Sequence, residues 1–86
     1  MSHSQNPEIS KRLRRASGHL ASVMAMVEDG RDCLAIAQQL QAVIKALEVS
    51  KRELIHHHID EHLGATLAAG EARELREGIR ALAKYL

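Results

Sequence analysis

Apolar residues recur along the chain with the spacing of α-helices, in three segments separated by glycines. In the first segment the intervals alternate between four and three residues, which places the side chains on one side of a helix. The stripe consists of Ile9, Leu13, Ala16, Leu20, Val23 and Val27. Asn6-Pro7-Glu8 predicts the start of this helix, because Asn caps free N–H groups and Pro is accepted at the first helical position. Asp29-Gly30 predicts its end, since glycine readily adopts the left-handed conformation of a helix C-cap.

The second segment contains neither Gly nor Pro from Arg31 to Leu63, so it predicts one long helix that ends at Gly64. Its apolar stripe is Ala37, Leu40, Ile44, Leu47 and Leu54. After Gly70, a third helix over roughly 71–85 is predicted by Ala72, Leu75, Ile79, Leu82 and Leu86. The expected fold class is therefore all-α, with three helices in a single domain that spans residues 1–86.

The length of the second helix indicates self-association. A helix of about 30 residues extends about 45 Å, which is longer than any core that three helices of this chain could wrap. Much of its apolar stripe would face water, at a cost of about 25 cal/mol per Å². We therefore expect two hairpins to form an antiparallel four-helix-bundle dimer, with the third helix available for assembly to a tetramer.

Composition narrows the function classes. The 86 residues have no room for separate cofactor and substrate lobes, so we do not expect an enzyme. Tyr85 is the only aromatic residue, which argues against base-stacking platforms. The single cysteine, the absence of a signal-like amino terminus and the absence of a long apolar run predict a cytoplasmic protein without a membrane span.

Candidate metal ligands lie near both ends of the second helix. His58 and His62 are four residues apart and share a helix face, which is a common chelate for Zn, Ni, Co or Cu. Cys33 precedes His58 by 25 positions, which corresponds to about 37 Å along one helix. One chain cannot bring both to the same ion, whereas an antiparallel dimer can pair Cys33 with His58 and His62 of the partner subunit.

Ordinary structural roles compete with this interpretation. A lone cysteine near a helix start is more often a small buried hydrophobic residue than a ligand. A histidine cluster is more often a solvated face, and we assign His19, His56 and His57 to solvated surface.

Basic residues form a second candidate site. Four cations lie within five positions on the first helix, and two more lie on the second. They are Lys11, Arg12, Arg14 and Arg15, followed by Lys51 and Arg52. DNA phosphate is one natural partner for such a cluster, and a solvated face is the common alternative. The net charge of +1 is modest, and the sequence shows neither a helix-turn-helix nor zinc-finger spacing.

Four stretches of the sequence match a known family. They are RLRRASGHL at 12–20, the region from MVE at 26–28 to DC at 32–33, QQLQAV at 38–43 and HIDEH at 58–62. Through these stretches the chain resembles the CsoR/RcnR/FrmR family of bacterial ligand-responsive transcriptional repressors over almost its whole length. Family members place a Cys at the start of helix two and two further ligands 25 and 29 residues later, which Cys33, His58 and His62 match.

The resemblance implies that Cys33 is a thiolate ligand and that His58 and His62 come from the opposing subunit. Copper(I) sensors of the family have Cys at the third position, so His62 disfavours copper(I). The nickel and cobalt branch, similar to RcnR, has His there and adds an amino-terminal His, which His3 matches. Formaldehyde-responsive relatives rely on Pro at position 2, where this chain has Ser2.

The leading hypothesis is a repressor that binds operator DNA without metal and is released by Ni(II) or Co(II), although Zn(II) would also bind this ligand set. Two alternatives remain open. A formaldehyde or thiol-modification sensor would use Cys33 as a nucleophile. A metal-buffering helical protein would bind nickel without binding DNA.

Overall fold

A computed structural model describes residues 6–68 and 72–86, although the side chains of 62–68 and 72 lie outside the described set. The described residues form three α-helices and no strand, which are α1 (Pro7–Glu28), α2 (Cys33–Ala68) and α3 (Ala72–Ala83). The chain is elongated, at 58 × 24 × 12 Å, because a helix with the 36 residues of α2 is about 54 Å long. The all-α prediction is confirmed, while the predicted dimer and tetramer stay predictions.

The ends of α1 follow the sequence signals. The Asn6 side chain accepts hydrogen bonds from the backbone N–H groups of Glu8, at 3.0 Å, and Ile9, at 3.4 Å. These contacts satisfy donors that the first turn of a helix leaves unpaired. At the other end Gly30 has a φ of 67°, a conformation that glycine adopts without steric cost. The chain therefore turns immediately into α2.

The bounds of α2 differ from the prediction. The helix begins at Cys33 rather than Arg31, because Asp32 is its cap and accepts a hydrogen bond from the N–H of Ala35 at 3.2 Å. It continues through Gly64 to Ala68, so the predicted stop at Gly64 is wrong. A glycine inside a helix costs only about 1 kcal/mol, and the residues around it are mainly Leu and Ala, which favour helix.

The third helix is slightly shorter than predicted. It spans Ala72–Ala83, and the backbone N–H of Tyr85 then donates to Leu82 in a closing turn. Leu75, Ile79 and Leu82 are half-buried, as expected for an amphipathic helix that packs on one side. None of the described helices combines the length and the apolar content that crossing a bilayer requires.

The core lies between α1 and α2 and is thin. Its buried side chains are Ile9, Ala16, Val23, Val43, Ser50 and Ile55. The Ser50 hydroxyl donates to the carbonyl of Ala46 at 2.9 Å, which satisfies a polar group inside the core.

The predicted apolar stripes are only partly in this core. Three of the six stripe positions on α1 are buried, whereas Leu13, Leu20 and Val27 are exposed. Every predicted stripe position on α2 is exposed, because α1 covers a different side of α2. The apolar stripe of α2 therefore needs another partner.

Candidate metal centre and nucleic-acid interface

One face of α2 carries a ladder of residues at alternating intervals of four and three. Its members, which we call the α2 seam, are Cys33, Ala37, Leu40, Ile44, Leu47, Lys51, Leu54 and His58. The exposed fractions of the four large aliphatic side chains are 39% for Leu40, 42% for Ile44, 42% for Leu47 and 36% for Leu54. On α1, Leu13 and Leu20 are also exposed. Exposed aliphatic residues in such a continuous arrangement are typical of a surface that another protein surface covers.

The two ends of the α2 seam are the predicted metal ligands. Cys33 is the first residue of α2 and is exposed, so the interpretation of this residue as a buried hydrophobe is wrong. His58 lies at the opposite end and is half-buried. Since α2 is unbroken between them, they are separated by about 37 Å.

The described part of one chain does not assemble a metal site by itself. Among these residues, no three His, Cys, Asp or Glu side chains come together in a group that could hold a metal ion. The backbone of His62 lies in α2 one turn beyond His58, but its side chain is outside the described set. His3 lies outside the described residues altogether.

Two of the other histidines, His57 and His19, have side-chain partners outside the α2 seam. His57 is half-buried, and its Nε2 lies 2.7 Å from the Glu61 carboxylate. His19 is also half-buried, and its Nε2 lies 2.7 Å from Oε1 of Gln39, which joins α1 to α2. The assignment of these two residues to plain solvated surface is therefore incomplete, whereas His56 is exposed as expected.

The predicted DNA-contacting cations of α1 spread around the helix. Because successive residues differ by about 100°, the four cations cover an arc of about 160°. Arg12 lies nearest to α2 and is half-buried, followed around the helix by Arg15, Lys11 and Arg14, which are exposed. The arc therefore continues from α2 to the outer surface of α1.

Two of these cations line a groove between α1 and α2, with a volume of about 430 Å³. The lining of this α1–α2 groove is Arg12, Arg15, Ala16, His19, Ala42, Lys45, Ala46 and Val49. The sequence prediction missed Lys45, because it is an isolated cation in α2 and only the folded hairpin brings it to Arg12 and Arg15.

The two predicted cations of α2 lie on different faces. Lys51 belongs to the α2 seam, and Arg52 is rotated from it by about 100°. Arg52 follows Lys45 by seven residues and therefore shares its face. Both lysines and Arg52 are exposed.

Several known bacterial proteins are similar to this chain in sequence. Over 62 residues the chain is 32% identical to the copper-sensing transcriptional repressor CsoR of Mycobacterium ulcerans, covering 72% of this chain and 53% of that protein. It is 29% identical over 66 residues to the copper-sensing transcriptional repressor RicR of Mycobacterium tuberculosis, covering 77% and 69% of the two chains. A Serratia marcescens protein encoded in the bioA 5′ region is 31% identical over 72 residues, covering 84% and 79%.

The chain thus spans about half the length of the Mycobacterium ulcerans repressor. No solved structure is significantly similar to it. The model of the metal-sensitive transcriptional repressor family matches residues 5–86, which is almost the whole chain. That family consists of regulators and not of enzymes. Together with the cysteine and histidine at the two ends of an exposed apolar seam, this match shows that the chain belongs to the metal-sensitive transcriptional repressor family.

Proposed function

We propose that this chain is a cytoplasmic repressor that binds operator DNA without metal and leaves it when Ni(II) or Co(II) binds between subunits. Cys33 of one subunit and His58 and His62 of the partner subunit are the proposed ligands. The single observation that carries the proposal is the α2 seam, which is exposed from Cys33 to Leu54 and has a thiol at one end and the half-buried imidazole of His58 at the other.

The spacing of the seam sets the register of the proposed dimer. The seam has the same intervals in both directions from the midpoint between Ile44 and Leu47. When two copies of α2 lie antiparallel with Ile44 opposite the partner subunit's Leu47, every seam residue therefore lies opposite a seam residue of the partner subunit. Ala37 then meets the partner subunit's Leu54, and Cys33 meets the partner subunit's His58. A register that covers the apolar residues is therefore the same register that assembles two metal sites, one at each end.

The donor set supports a divalent ion that accepts both sulfur and nitrogen. A thiolate with two imidazoles suits Ni(II), Co(II) or Zn(II), and His3 with the terminal amine could extend the coordination of Ni(II) or Co(II). The relatives named as copper sensors leave copper(I) as the competing effector. Copper(I) prefers sulfur ligands, and His62 supplies nitrogen instead.

The cations supply the proposed DNA surface. Lys11, Arg12, Arg14, Arg15 and Arg52 would neutralise backbone phosphates, while Lys51, which the sequence groups with them, lies on the α2 seam. Release requires that the metal-bound dimer bind DNA less tightly than the metal-free dimer, since a ligand shifts an equilibrium only through its differential affinity. Tyr85 and Leu86, exposed at the end of α3, are available for assembly of dimers to a tetramer.

The test is an electrophoretic mobility shift with the protein and the promoter of its own gene. Metal-free protein is expected to retard the fragment, and Ni(II) or Co(II) is expected to release it at lower concentration than Zn(II) or Cu(I). Cys33→Ala should bind DNA like the unaltered protein and fail to respond to metal, because Cys33 is exposed and its removal leaves the core intact.

Three outcomes would contradict the proposal. Release by formaldehyde in the absence of metal would identify a sensor in which Cys33 is a nucleophile. Nickel binding without any retardation of DNA would identify a metal buffer. Release by copper(I) alone would be compatible with the intersubunit site, but it would contradict Ni(II) or Co(II) as the effector.

A further inference from the structure

The α1–α2 groove joins cations from two helices that are far apart in sequence. Arg12 and Arg15 come from α1, and Lys45 comes from α2. We infer that this groove is a docking site for the DNA backbone, and that Lys45 binds phosphate there together with the arginines. The inference rests on the proposed DNA binding and adds a surface and a residue to it.

The charges of the groove have no counterpart among the ion pairs of the described residues. Those pairs join His57 to Glu61 and Arg73 to Glu77. Neither pair involves a cation of the groove, and no carboxylate is among the residues that line it. Arg12 also borders a second cavity, which contains Glu8, Glu53 and Asp60. The positive potential of the groove therefore comes mainly from Arg15 and Lys45, and a polyanion relieves it while releasing its counterions.

The floor of the groove suits a sugar-phosphate chain. It consists of Ala16, Ala42, Ala46 and Val49, whose short side chains leave space between the longer cationic ones. His19 lies at one end, where its 2.7 Å hydrogen bond with Gln39 connects the two walls. The groove is therefore an open, cation-rimmed channel of about 430 Å³, with an apolar base that sugar rings can touch.

Lys84 provides a control for Lys45. Both are exposed lysines, but Lys45 lines the groove, whereas Lys84 follows α3 and belongs neither to the groove nor to the α2 seam. If phosphate binding follows the groove, removal of the Lys45 charge weakens DNA binding and removal of the Lys84 charge does not. A general effect of positive charge would make the two substitutions equivalent.

The experiment measures fluorescence anisotropy of a labelled promoter duplex with the metal-free full-length protein between about 50 and 200 mM KCl. Lys45→Ala and Lys45→Gln should each weaken binding severalfold and make the slope of log K against log salt shallower by about 0.9 for each phosphate that is no longer neutralised. The weakening should be similar on an unrelated duplex, because interactions with phosphate carry no sequence information. Lys45→Arg should restore both the affinity and the slope.

Lys84→Ala, on the exposed end beyond α3, is expected to leave the slope unchanged. An unchanged slope for both Lys45 variants, or an equal decrease for Lys84→Ala, would overturn the inference while the unaltered protein still binds and responds to metal. Failure of the unaltered protein to bind DNA at any salt concentration would overturn the proposed function as well. Circular dichroism of each variant separates a weakened DNA interface from an unfolded chain.

Discussion

The two sides of the α1–α2 hairpin expose different chemistry, and each is stabilised by a different kind of partner. The α2 seam leaves large aliphatic side chains 36–42% exposed, whereas the α1–α2 groove is lined by cations and by no carboxylate. An apolar surface is stabilised by removal from water, and an unpaired cationic surface by an anion. A hairpin of two helices can therefore offer one side to a second copy of itself and the other to DNA, without competition between them.

The largest expected difference between the two sides is in how their interactions depend on salt concentration. Raising the salt concentration from about 50 to about 200 mM should weaken DNA binding by about 10³-fold or more if six or more phosphates are neutralised. The dimer should hold at both concentrations, because burial of apolar surface does not depend on counterion release. Anisotropy and sedimentation velocity on the same samples measure the two equilibria. Parallel weakening of the dimer and of DNA binding would mean that charge also holds the seam together.

A charge in the middle of the seam should break the dimer. Ile44→Glu places a carboxylate opposite the partner subunit's Leu47 in the proposed register, and an unpaired buried charge costs about 3 kcal/mol or more. The dimer dissociation constant should rise by more than about 100-fold. Analytical ultracentrifugation measures this change.

Ala25→Glu is the control for that substitution. Ala25 is exposed on α1, away from both the seam and the groove, so its charge should remain in water and leave the dimer intact. Equal dissociation by the two variants would show that the seam is not the interface.

Mixed dimers test whether the metal site lies between subunits. Neither Cys33→Ala nor His58→Ala should bind metal well alone, but a mixed dimer would contain one intact site and one site that lacks both ligands. After equal amounts are unfolded together and refolded, about a quarter of the metal sites of the unaltered protein should return. Isothermal titration with Co(II) counts them.

His56→Ala is the matched histidine control, because His56 is exposed and lies outside the α2 seam. It should bind metal like the unaltered protein. No recovery in the mixture of Cys33→Ala and His58→Ala would contradict an intersubunit site.

The smallest effect concerns the link between the groove walls. His19→Ala removes the hydrogen bond to Gln39 and should lower the free energy of unfolding by about 0.5–1 kcal/mol. Urea denaturation measures this decrease. Ser22→Ala is the control, because it removes only a hydroxyl hydrogen bond to the carbonyl of Gly18 within α1. If Ser22→Ala lowers the free energy of unfolding as much as His19→Ala does, the interhelical hydrogen bond does not stabilise the hairpin.

The sequence predicted the helices better than the surfaces they bury. Helix existence follows from apolar spacing, and the bounds of α1 follow from Asn6 and Gly30, whose local geometry needs no tertiary information. The prediction that α2 ends at Gly64 was wrong, because the free-energy cost of one glycine in a helix is smaller than the helix-favouring contribution of its many neighbours. The apolar stripe of α2 was correctly recognised, but periodicity does not reveal that α1 packs against Val43 and Ser50 instead.

The candidate sites divide in the same way. Cys33 and His58 were predictable, because one uninterrupted helix fixes both their separation and their common face. Lys45 was not, since its association with Arg12 and Arg15 exists only after the hairpin folds. The different faces of Lys51 and Arg52 follow from helical rotation alone, because successive residues of a helix are about 100° apart.

The uninterrupted course of α2 has a mechanical consequence. The helix is about 54 Å long, so a tilt of only about 5° around its centre displaces each end by about 2 Å. Cys33, Lys45 and Arg52 lie on this one rod without a Gly or Pro between them. Any rotation of the end that carries Cys33 must therefore move Lys45 and Arg52 as well. The helix α2 is thus a lever, and in the proposed dimer a small tilt of α2 would change the distance between the cations of the two subunits.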